Sequence, residues 1–128
     1  MTLQPDPSAH PVPKIAIVIY SNVTTEAQSR TYRALGFAAE VLAAGDDVCI
    51  VFDGGGSATL AAILDPAHAL HRVWLRAAGA LRGVCSYCAK SYGVHAELTA
   101  AGIPMLTDDH GHASLRALLA EGRQIITF

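Results

Sequence analysis

The chain has 128 residues, of which 52% are hydrophobic and 16% charged, a balance that sets aside intrinsic disorder and predicts one domain. Nine Lys and Arg against eleven Asp and Glu leave a formal charge of -2 with no basic block, so nucleic acid is not an expected partner, and no apolar run is long enough to span a bilayer. Three cysteines are too few, and odd in number, for a disulfide framework, so reduced thiols and a cytoplasmic location are expected.

Residues 1–13 hold four of the six prolines and little to bury, which predicts a flexible tail, with a single domain over 14–128. Lys14 to Tyr20 is apolar on both alternating faces, as a central strand covered by helices should be. Thr25 and Gln28 have capping-box spacing ahead of a helical stripe that Gly45 ends. Asp47 to Phe52 reads as a second strand running into Gly54-Gly55-Gly56, with Asp53 as a helix cap. Asp65-Pro66 then predicts a helix start, with Leu70, Val73, Trp74 and Ala77 as its apolar stripe. Trp74 and Leu70 read as core or subunit interface.

Ala80 to Val84 is a third expected strand, His95 to Ala101 a helix, and Ile103 to Leu106 a fourth strand. Asp108 to His112 is a polar loop, Ala113 to Ala120 a last helix and Gln124 to Thr127 a last strand. Short apolar runs alternating with amphipathic ones predict a three-layer α/β/α sandwich around a mainly parallel five-stranded sheet. Its ligand crevice should lie at the carboxyl ends of the strands. Ser21, Asn22, Gly54, Gly55, Gly56, Lys90, His110 and His112 are the candidate crevice residues.

Cys85-Ser86-Tyr87-Cys88 falls where the third strand gives way to a helix, where backbone N–H groups and Lys90 would favour thiolate over thiol. Gly83 leaves room there for another backbone or a ligand. Zinc needs more ligands than the pair supplies; His110 and His112 could complete a site, but i, i+2 histidines in a Gly-containing loop are more often solvated, so no metal and no cofactor are expected. Thioredoxin-like exchange would place the motif after an early strand, whereas two βα units precede it here. Sulfur transfer, in which one thiolate holds a sulfane sulfur as a persulfide, needs little beyond an accessible nucleophilic thiol. The glycine turn matches neither a dinucleotide fingerprint nor a P-loop, and a tight crossover explains it as well as an anion cradle does. Cys49, mid-strand, reads as core.

From Lys14 to Phe128 the sequence resembles the DsrE/DsrF-like family of small sulfur-relay and related proteins. The likeness is carried by the first strand and long helix, by Phe52-Asp-Gly-Gly-Gly56, by Cys85-Ser-Tyr-Cys88-Ala-Lys-Ser-Tyr-Gly93-Val94, and by the closing Leu118 to Phe128. Tyr92 stands where relay members usually carry Arg. The resemblance implies Cys85 as the persulfide-bearing cysteine and Cys88 as the second cysteine of many members. It also implies a homotrimer or homohexamer and a sulfur donor or acceptor protein as partner. The alternative is a non-catalytic protein that binds a small anion or a partner on the same fold.

Overall fold

A computed structural model describes residues 10–128. The expected tail over 1–13 lies outside them as far as residue 9; residues 10–13 are exposed and carry no regular structure. In chain order the elements are β1 (Ile15–Ile19), α1 (Ser29–Ala43), β2 (Val48–Phe52), α2 (Gly56–Ile63) and α3 (His71–Ala77). After a 3-10 turn (Ala78–Ala80) come β3 (Leu81–Cys85), α4 (Ser86–Ser91), α5 (His95–Ala100), β4 (Met105–Leu106), α6 (Leu115–Ala120) and β5 (Gln124–Thr127).

All five strands are parallel, in the order β4-β3-β2-β1-β5. The first strand therefore lies inside the sheet, between β2 and β5, and β1 and β2 are buried along their whole length, which is why both read as unbroken apolar runs. Right-handed crossovers that step one way from β1 to β4 put their helices on one face, and the reversed step from β4 to β5 puts α6 on the other. Side chains follow this division by strand alternation. Ile15, Ile17, Ile19, Val48, Ile50, Phe52 and Val84 pack with α1, α2 and α3 in the larger core, where Trp74 meets Phe52 edge-on at 5.9 Å. Ala16, Val18, Cys49, Val51 and Cys85 face the smaller core with Ala113 and Leu118. Trp74 and Leu70 are core, and so is Cys49, whose thiol burial pushes up.

Several boundaries depart from expectation, each where a local hydrogen bond competes with a helix or ladder. Thr25 and Gln28 do not cap α1, which starts at Ser29. Asn22 takes that stretch into a turn instead, accepting at Oδ1 from the N–H and hydroxyl of Thr24 and at its carbonyl from Thr25 N–H. Asp65-Pro66 does not open a helix either. Asp65 Oδ1 accepts from Ala67 N–H, His68 Nδ1 accepts from Leu70 N–H, and α3 begins only at His71. The expected four-residue strand Ile103 to Leu106 shortens to two: Ile103 N–H closes α5 on the carbonyl of Leu98, and Pro104 has no N–H to give.

Candidate functional site

The carboxyl end of the sheet gathers the loops after β1, β2, β3 and β4. Gly56 is what lets the second of these in. A Cβ there would stand 1.9 Å from the carbonyl oxygen of Ile19, and one on Gly55 would stand 3.0 Å from that of Tyr20. The glycine turn thus rides directly on the end of β1, with Tyr20 packed over Gly54. Gly83 does the same for β4, since a Cβ on it would lie 2.5 Å from the carbonyl oxygen of Pro104.

Asp53 follows β2 directly and does not cap α2. Its Oδ1 accepts from Gly54 N–H at 2.8 Å and from the Cys88 thiol at 3.3 Å. Ser57 Oγ donates to the carbonyls of Gly54 and Cys88, tying the glycine turn to α4. Burial, then the neighbouring Cys85 and the Asp53 carboxylate, push the Cys88 thiol up to about 12 against the opposing Gly54 N–H. Tyr20 is raised as well, first by burial and then by the neighbouring Asp53 carboxylate.

Cys85 closes β3 with its side chain on the α6 face and is fully buried, whereas Cys88 is half-buried. The Cys85 Sγ lies 3.4 Å from His112 Nδ1. That approach depends on the turn 109–112. Asp109 and His112 exchange both backbone hydrogen bonds, and the two residues between them take positive φ, His110 at 52° and Gly111 at 86°. This is the combination a type I′ turn requires. Gly111 also accepts from Tyr87 N–H, and the Tyr87 and His112 rings stack at 4.3 Å with a 31° tilt. The two Sγ atoms and a ring nitrogen of His112 all lie within 4.8 Å of one another. A cavity of about 560 Å³ opens beside them, lined among others by Asp53, Asp108, His112 and Ser114.

Of the candidates read from sequence, Cys85, Cys88 and His112 come together and the glycine turn adjoins them. His110 does not join them: its ring points to solvent, 97% exposed, with Nδ1 3.0 Å from Asp109. Lys90 is exposed near the end of α4 and forms no ion pair with a carboxylate among the described residues. Ser21 is buried beneath a separate cleft with Tyr20, Glu26 and Arg30, and Asn22 lines another with Thr24 and Tyr92. Tyr20, Tyr87 and the role of Asp53 as a thiol partner went unread in the sequence. The one available signal was that Tyr20 and Asp53 both follow strands whose ends face the same way.

No family model and no curated protein matches the chain. Among solved structures it is similar to a conserved protein of unknown function from Bacteroides thetaiotaomicron, with a TM-score of 0.61 and 17% identity, covering 88% of this chain and 94% of that one. At that identity the likeness bears on fold: an α/β protein built on a five-stranded parallel sheet. No described helix is long and apolar enough to cross a membrane.

Proposed function

We propose that this protein is a DsrE-like carrier that accepts sulfane sulfur on Cys85 and passes it on as a persulfide. The observation that carries the reading is the 3.4 Å approach of His112 Nδ1 to Cys85 Sγ, with a second thiol beside it. A neutral imidazole at that distance takes the Cys85 proton, and the thiolate attacks the outer sulfur of a donor persulfide. The new S–S bond forms on Cys85 as the donor's S–S bond breaks, and the donor leaves as its thiolate. An acceptor thiolate then removes the outer sulfur in the same way. Cys88, whose thiol donates to Asp53, can resolve the species once Asp53 takes its proton: its sulfur then bonds to that of Cys85, hydrogen sulfide leaves, and an external thiol must reduce the resulting disulfide. Because Cys85 is buried, a donor reaches it only when its neighbours move aside, which favours small donors or a docked partner protein.

Incubating the reduced chain with polysulfide and measuring intact mass tests this reading. One added sulfur is expected on the wild type and none on Cys85→Ser; an unmodified wild type, or an adduct that survives Cys85→Ser, rules it out. The small-anion alternative leans on the glycine turn, yet the N–H groups of Gly54, Gly56 and Ser57 are spent inside it and Asp53 faces the same space. A homotrimer or homohexamer is part of the same proposal.

A further inference from the structure

Cys85, Cys88 and His112 present two sulfurs and one ring nitrogen to a common point, all within 4.8 Å of one another. In a tetrahedral zinc site, with bonds of about 2.3 Å to sulfur and 2.0–2.1 Å to nitrogen, neighbouring donor atoms stand roughly 3.5–3.8 Å apart. The 3.4 Å between Cys85 Sγ and His112 Nδ1 is already close to that spacing. The donors come from a strand end, the helix that follows it and a turn pinned by two backbone hydrogen bonds, so little ordering remains to be done on binding.

The surroundings point the same way. Asp53 Oδ1 lies 3.3 Å from Cys88 Sγ, Tyr20 approaches Asp53, and Asp108 and Asp109 line the adjoining cavity. Arg116 lines that cavity too, but no Lys or Arg pairs with Asp53 among the described residues. Asp53 and the two thiols thus lie together with no protein cation paired to Asp53 among the described residues, which is a setting for a metal cation. Two thiolates, a neutral imidazole and a divalent ion sum to zero charge, which suits a half-buried place, whereas monovalent copper would leave a negative charge beside Asp53.

We infer that Cys85, Cys88 and His112 bind one zinc ion, through two sulfurs and Nδ1, with water in a fourth position toward the cavity and Asp53 accepting a hydrogen bond from it. Three protein ligands and an exchangeable fourth position are the pattern of zinc sites that keep an open coordination place. The inference needs only ligand geometry, but it shares Cys85, Cys88 and His112 with the sulfur-transfer reading, so a zinc-loaded chain would not accept sulfur until the metal leaves.

The test uses the reduced full-length chain, loaded with zinc, freed of excess by gel filtration and assayed for metal by mass spectrometry, with cobalt(II) substitution as a second readout. One zinc per chain and thiolate-to-cobalt charge-transfer bands are expected. Cys88→Ser and His112→Gln should each weaken binding by more than about 100-fold, and Asp53→Asn by about 10- to 100-fold, the usual cost of losing an outer-sphere group. His110→Ala should leave affinity unchanged. Cys85→Ser lies in the core and could unfold the chain, so the two half-buried ligands decide. Substoichiometric zinc, cobalt spectra without thiolate bands, copper(I) binding without zinc, or unchanged affinity in Cys88→Ser or His112→Gln would overturn the assignment.

Discussion

Cys85 and Cys88 are three residues apart, yet their surroundings divide their chemistry. The first is buried against an imidazole, and the second donates to a carboxylate that keeps it a thiol. Thr31 is a residue of the opposite kind, polar where the helix stripe calls for an apolar group. It is fully buried on α1, and its Oγ1 has no partner among the described residues. Thr31→Val keeps the shape and removes an unsatisfied hydroxyl, so it should stabilise the fold by about 1–2 kcal/mol. Urea denaturation that shows a lower midpoint would mean the hydroxyl has a use the static contacts do not reveal.

Among the elements, the join between β3, α6 and β5 rests on charge. Arg82 on β3 meets Glu121, the residue that ends α6, through two hydrogen bonds of 2.6 Å. Arg123, its side chain only 9% exposed, reaches Glu121 at 2.9 Å, Asp47 at 2.8 Å and the carbonyl of Ile15 at 3.1 Å. These guanidinium groups, Arg82 first, hold the Glu121 carboxyl at about 2, below its ordinary 4.5. A carboxyl whose value is depressed by folding stabilises the native state fully above its unfolded value and loses that contribution as pH falls through the folded one. The wild type's advantage in Tm over Glu121→Gln should therefore be largest above pH 4.5 and shrink toward about pH 2. A difference that does not change with pH across that window would show that the clamp acts through packing alone. The glycine turn is the other element-level device. Because a Cβ on Gly55 would stand 3.0 Å from the carbonyl oxygen of Tyr20 and from Asn22, just after β1, a Gly55→Val change would displace the turn and would not report on anion binding by itself.

Across the whole molecule the two sheet faces are unequally covered. One carries most of the helices, while among the described residues the other is covered mainly by α6, with Leu115 at 36% and Leu119 at 57% exposure. Exposed leucines on a thinly covered face fit the proposed self-association. Light scattering should return about three or six times the 13.4 kDa chain mass; a monomer at micromolar concentration would remove that part of the proposal.

The strands β1 and β2 were legible because a strand covered on both faces must be apolar throughout, and the thiol pair was legible because it spans the change from a short strand to a helix. The two-residue β4 and the turns at Asn22 and Asp65 were not, since a few hydrogen bonds from neighbouring side chains decided them. Sequence alone was enough to establish the layered α/β class and to put Cys85 at a strand end. Only the tertiary structure decided that His112 and not His110 meets Cys85, and that Asp53 and Tyr20 stand beside Cys88. Parallel strands bring loops far apart in the chain to one end of the sheet, and within each loop the backbone turn, which residue type specifies only weakly, sets which side chain points inward.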